Sequence, residues 1–219
     1  RIVRVYLETG ALTVVAGTGS PGDGGDGGDP ALATFRAPVD VDFDPWGRIV
    51  ILDKHACRVR RIEQGVIRAV AGNGTEGYSG DGGAPLSAAL DNPTALAFDP
   101  DGAMYIADYA NHAIRRVDPA GTLIETVVGG PSATFWGDGA PSAATAIVQP
   151  LALAFGPDGS LFFSESDFFD EAAKVVRGDR VRRVDVQTGR VTTVVGEAMP
   201  AGDGPLETSR LGTPGAMVS

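Results

Sequence analysis

Three aspartates crowd one glycine-rich stretch, Pro21–Pro30, at Asp23, Asp26 and Asp29. Closely spaced carboxylates, with glycines that free backbone carbonyls to turn inward, suit a hard cation such as Ca²⁺. The same residues also build loops without any ion, because glycine supplies positive φ and aspartate ties down a turn through backbone hydrogen bonds. The Asp-Gly step recurs at Asp81, Asp138 and Asp203. One carboxylate per repeat favours the structural role. Paired arginines stand at Arg60-Arg61, Arg115-Arg116 and Arg182-Arg183, and each pair follows an acidic residue, Asp53, Asp108 or Glu165. A buried guanidinium needs a carboxylate partner. The expectation is that Arg61, Arg116 and Arg183 pair with Asp53, Asp108 and Glu165 between neighbouring units; the alternative is that the arginines line a central site. His55 and His112 are the two histidines. Each could serve as a metal ligand or general base, or cap a turn. Tyr78, Trp136, Phe168 and Phe169 are aromatics in connecting segments, where exposed rings often anchor partners; the alternative for Phe168 and Phe169 is a loop folded onto its own unit. With His112 they form the candidate binding set. No acidic, Asn and His constellation stands outside the repeat, so no catalytic residue is assigned.

These residues sit on a repeating series of short strands. Val39–Phe43, Ala95–Phe98 and Leu151–Phe155 each follow a proline (Pro38, Pro93, Pro150), and a fourth, Pro214, precedes Gly215–Val218. Tight turns follow at Asp44–Gly47, Asp99–Gly102 and Gly156–Gly159, with Pro second and Gly fourth, as type I turns prefer. A second strand ends in Asp53, Asp108 or Glu165. The arginine strand and a fourth strand ending in glycine complete each unit. Four short antiparallel strands at a fixed period describe a β-propeller blade. Strands c and d of a partial blade occupy 1–18. Full blades occupy 35–72, 90–130 and 148–196, and 211–219 supply a further first strand. Two closures stay open. The chain is a portion of a larger propeller, or its two ends meet in one incomplete blade. Uncovered apolar blade faces are rare in natural proteins and favour the first.

In such a blade the a–b and c–d turns lie at one end, and the b–c and d–a connections at the other. The long segments here are all b–c or d–a. Residues 166–179 make the third b–c segment longer than its counterparts. Binding is therefore expected on that face.

The segment Asn92–Asp118 (NPTALAFDPDGAMYIADYANHAIRRVD) resembles the NHL repeat. The longer units here are similar to those of bacterial secreted or cell-surface NHL proteins and of teneurin-type adhesion proteins. That resemblance implies an all-β propeller of about six blades when complete, and an extracellular or periplasmic setting. The expected function is a non-enzymatic module that contacts a protein, peptide or glycan on the loop-rich face, alongside the remainder of the propeller. The alternative is a lactonase- or lyase-like propeller enzyme with a central metal.

Bulk properties narrow the partners. A formal net charge of −10 over 219 residues disfavours nucleic acid and anionic membrane surfaces. No apolar run reaches the ~18 residues that span a bilayer. The single cysteine, Cys57, excludes an intrachain disulfide. No cofactor is expected beyond the possible Ca²⁺ at Asp23, Asp26 and Asp29.

Overall fold

The computed structural model describes residues 1–134, 137–166, 168–170, 175–177 and 179–196. Strands β1 (Ile2–Val5) and β2 (Leu12–Ala16) form a two-stranded sheet. The first full blade orders β3 (Pro38–Phe43), β4 (Ile49–Asp53), β5 (Arg58–Glu63) and β6 (Val66–Ala71). The second orders β7 (Ala95–Phe98), β8 (Met104–Asp108), β9 (Ala113–Val117) and β10 (Ile124–Gly129). The third is built from β11 (Pro150–Phe155) and β12 (Leu161–Glu165), then β15 (Arg180–Val184) and β16 (Val191–Val195). Between β12 and β15 a separate hairpin, β13 (Phe168–Asp170) and β14 (Val175–Arg177), is inserted. The long third b–c segment therefore carries a two-stranded sheet where the sequence suggested a loop. The further first strand expected at 211–219 lies outside the described residues.

All pairings are antiparallel, and the neighbours follow the chain order of a meander. The chain is a β-propeller portion, with three complete blades and half of another among the described residues. The expected turns close as read: Gly47, Gly102 and Gly159 donate to the carbonyls of Asp44, Asp99 and Gly156. In the second d–a insert the small-residue run makes one 3-10 turn at Pro85–Ser87, with equivalents at Pro30–Leu32 and Ser142–Ala144.

Blade packing supplies the core. Leu52, Val59, Leu90, Ile106 and Ile124 are fully buried between the first and second blades. Ile114, Ile147, Phe163 and Val191 do the same between the second and third. The innermost strands β3, β7 and β11 contact one another in that order and line a central channel of about 770 Å³. On β3 the alternation is informative: Val39, Val41 and Phe43 are exposed, while Asp40 and Asp42 are half-buried. The apolar side of β3 faces away from the second blade, toward which Asp40 points, while Ile2 and Ala16 of β1 and β2 pack with Ile51 of β4 and Ile67 of β6.

Candidate functional site

The arginine pairs divide their work differently from the expectation. The first arginine of each pair, not the second, is buried: Arg60, Arg115 and Arg182 are at most 1% exposed. Each clamps a d–a insert. Arg60 donates to Asp26 (2.8 Å) and to the carbonyls of Thr34 and Gly24. Arg115 reaches Asp81 (2.8 Å), Asp108 (3.3 Å) and the carbonyls of Ala89 and Ser79. Arg182 reaches Asp138, Glu165 and the carbonyls of Ala146 and Gly137. Arg61, Arg116 and Arg183 turn the other way and pair near the surface with Glu63, Glu125, and Asp158 with Asp185. The expected pairing of Arg61, Arg116 and Arg183 with Asp53, Asp108 and Glu165 between neighbouring units is therefore corrected: Arg115 and Arg182 pair with Asp108 and Glu165 of their own blades, and Arg60 pairs with Asp26. The reason is strand alternation, since adjacent residues face opposite sides. A register shift in each outer pair, at Val59/Arg60, Thr126/Val128 and Val181/Arg182, lies beside the clamp arginine, which stays paired to Ala69, Thr126 or Thr193.

The strand-end acids hold the start of strand a. Asp53 accepts from the N–H groups of Arg36 and Ala37, Asp108 from that of Asp91, and Glu165 from that of Val148. Burial pushes Asp108 up to about 6, against the pull of Asn111, the Asp91 N–H and Arg115.

The aspartates of the first insert have separate duties. Asp26 belongs to Arg60, Asp23 lies 3.3 Å from Arg36, and Asp29 caps a 3-10 turn by accepting from the Ala31 N–H. The Ca²⁺ site proposed from Asp23, Asp26 and Asp29 is corrected accordingly. Among the described residues no group of three or more His, Cys, Asp or Glu is gathered for a metal. Glycines make the close approach possible. At Gly25 (φ +97°) an added Cβ would lie 2.7 Å from the Ala33 backbone, and at Gly80 (φ +91°) 2.5 Å from that of Ala88.

Two of the candidate binding residues, Tyr78 and His112, come together. They rim a cleft of about 490 Å³ between the second and third blades, on the b–c/d–a face, floored by Ile147 and Val148 and walled by Pro131 and Ala133. The Tyr78 hydroxyl bonds Thr126 (2.8 Å) and Asp81 (3.0 Å), and the Arg115 guanidinium stacks 5.0 Å from its ring. His112 takes the left-handed conformation (φ 51°) that ends the turn Tyr109–Asn111. Its Nδ1 accepts from the Gln149 N–H (3.2 Å), which puts the imidazole proton on Nε2. The ring is exposed at the rim, yet the protein around it still desolvates it and holds its pKa below the ordinary value. Asn111 is consumed by Gly77 O and Asp108. Trp136 lies outside the described residues. Phe168 and Phe169 are in the backbone of the inserted hairpin. His55 sits in the 3-10 turn Lys54–Ala56 of the first blade.

The repeat explains why the cleft exists. At the start of strand c the partial blade has Arg1 and the first full blade has Arg58. Their guanidinium groups donate to the carbonyls of Thr18 (2.9 Å) and Asn73 (3.2 Å). The pairing registers place Ala113 at that position in the second blade and Gly130 at the position of Thr18 and Asn73. The arginine is gone. Its neighbours change with it. Gly19 and Gly74, whose added Cβ atoms would lie 2.4 Å and 2.7 Å from the guanidinium, become Pro131. Arg36 and Asp91 become Val148. Asp23, 4.0 Å from Arg58, becomes Tyr78 in the next insert. Sequence reasoning missed Ala113, Pro131 and Val148, because an alanine or valine in a strand carries no chemistry by itself. The signal was the departure from the repeat.

A second departure lies in the channel. Asp40 and Asp42 occupy the positions of Ala95 and Ala97, and of Ala152 and Ala154, in the other blades. Asp40 accepts from the Leu96 N–H of the next blade (2.7 Å). Burial raises its pKa, and the Asp42 charge adds to the rise. Burial raises Asp42 as well.

No family model and no curated protein matches the chain. Solved structures do. An auxiliary nutrient binding protein from Bacteroides ovatus matches at 16% identity and TM-score 0.52, covering 86% of this chain and 41% of that one. A protein of unknown function from Bacteroides thetaiotaomicron matches at 18% identity and TM-score 0.51, covering 72% and 35%. Virginiamycin B lyase from Staphylococcus aureus matches at 20% identity and TM-score 0.44, covering 73% and 41%. The chain thus spans well under half the length of each of these three. At such identities the likeness is one of fold: the chain has the β-propeller fold.

Proposed function

We propose that this propeller is a non-enzymatic binding module of the NHL kind, which engages a protein, peptide or glycan on its b–c/d–a face. The Asn92–Asp118 signature supports the NHL reading. The observation that carries the function is the cleft at Tyr78 and His112. It appears where one blade junction departs from the others, whereas the clamps that recur in every full blade are explained by structure. Loops on a rigid scaffold are the common place for recognition, and a cleft of this size falls within the range of ligand sites. The enzyme alternative draws on Asp40 and Asp42, two carboxylates without a third ligand among the described residues.

The test restores the repeat. Ala113→Arg puts back the side chain that Arg1 and Arg58 supply elsewhere and fills the cleft. A random peptide library panned on the wild-type chain is expected to yield binders that lose at least tenfold in affinity on Ala113→Arg. Binders that are indifferent to that change and map to another surface would refute the reading.

A further inference from the structure

The sister junctions indicate what the cleft can hold. Where Arg1 and Arg58 fill the groove, the arginine comes with a glycine that makes room for its guanidinium, at Gly19 and Gly74. At Arg58 a carboxylate, Asp23, stands 4.0 Å away. At the second-to-third junction all three are replaced together: the arginine by Ala113, the glycine by Pro131 and the carboxylate by Tyr78. Val148 further replaces the charged Arg36 and Asp91. A groove emptied only of its arginine would remain a socket for a foreign cation. This one has lost the seat and the counter-charge as well. Its floor, Ala146, Ile147 and Val148, is at most 6% exposed and apolar.

The polar groups at the rim are largely engaged. The Tyr78 hydroxyl, the Asn111 amide and His112 Nδ1 all have partners within the protein. Among the described side chains that line the cleft, what remains is the proton on His112 Nε2, a neutral donor because the depressed pKa keeps the ring uncharged at neutral pH. A glycan would bring many hydroxyls to walls whose described side chains are mostly apolar, and each polar group buried without a partner costs affinity. An aromatic side chain matches both features, with apolar faces for the walls and, in tyrosine, an oxygen for one N–H donor. The net charge of −10 disfavours acidic flanks on the partner.

We infer that the Tyr78–His112 cleft is a socket for one aromatic side chain, tyrosine above all, carried on an uncharged or basic peptide segment of a partner protein. This rests on the binding-module reading and names the occupant of its cleft.

The probes are four octapeptides that share basic flanks and carry Tyr, Phe, Arg or Ala at the centre, titrated calorimetrically into the wild-type chain, Ala113→Arg and Ala133→Trp. Ala133→Trp fills the same cleft from an exposed loop, in case Ala113→Arg folds poorly; circular dichroism reports the fold of each. The expected order of affinity is Tyr, then Phe, with Arg and Ala at least tenfold weaker, and both cleft-filling variants lose the Tyr peptide at least tenfold. Equal or tighter binding of the Arg peptide, still abolished by filling the cleft, overturns the aromatic socket and leaves the binding site standing. Binding of the Tyr peptide that folded filled variants retain, or no binding of any peptide to the wild-type chain, overturns the socket, and retained binding also removes the cleft from the binding-module reading.

Discussion

Adjacent arginines in one strand carry unequal weight, and the difference is measurable. Arg115 is fully buried between Asp81 and Asp108, whereas Arg116 is partly exposed beside Glu125. Removing one member of a buried charge network strands the others in low dielectric. Arg115→Met is therefore expected to cost about 3–5 kcal/mol. Arg116→Met breaks a surface pair and is expected to cost under about 1 kcal/mol. Urea denaturation of both variants checks the order, and equal losses would contradict the clamp assignment. Asp42 supplies a prediction of opposite sign. Its folded pKa is raised by burial, so the group favours folding when protonated and loses that advantage as pH rises from the unfolded value near 3.8 through the folded one. Asp42→Asn keeps an acceptor for the Phe43 N–H and relieves the repulsion on Asp40. It is expected to raise the thermal midpoint at pH 7 and to change it little at pH 3. A midpoint that falls at pH 7 would show that Asp42 holds a charged partner.

At the scale of elements, the blade end is set by a glycine that ends or follows strand d. Gly72, Gly129 and Gly196 have φ of +84°, +76° and +100°. An added Cβ would lie 2.1 Å from Cys57 O at Gly72 and 2.2 Å from His112 O at Gly129. Both the conformation and the contact exclude a side chain. Gly129→Ala is expected to destabilise the protein by more than about 2 kcal/mol, since left-handed backbone alone costs about 1–2 kcal/mol and a clash adds to it. Because this glycine backs the residue that carries the cleft histidine, the same variant is expected to weaken any ligand of the cleft. Amide exchange localised to His112–Gly130 would read out the disturbance. These elements were legible in sequence to within a residue or two, because a leading Pro, a Pro-x-Gly turn and a terminal Gly punctuate every full unit. The hairpin β13–β14 was not. It belongs to one blade only, so no repeat pointed to it, and the segment carries no Asn-Gly or Asp-Gly step at its centre.

For the whole molecule, the inner strands join neighbouring blades, β3 to β7 and β7 to β11, and β3 presents Val39, Val41 and Phe43 at 46–59% exposure on the side away from the second blade. Exposed apolar strand faces bind hydrophobic dyes and promote association. Changing Val41 and Phe43 together to lysine is expected to lower 8-anilinonaphthalene-1-sulfonate fluorescence and leave the thermal midpoint within a few degrees. Unchanged dye binding would place the apolar surface elsewhere. The sequence by itself determined the all-β repeat, the order of strands and the face that carries the long connections, because strand alternation and turn chemistry are local and are written anew in each unit. Its choice of the buried arginine was off by one position, since which of two adjacent arginines is buried depends on the insert folded over it. The cleft and the channel carboxylates were decided by tertiary structure. Ala113, Val148 and Asp40 acquire meaning only when each blade is laid against the next, where a missing side chain on one strand becomes an opening between two.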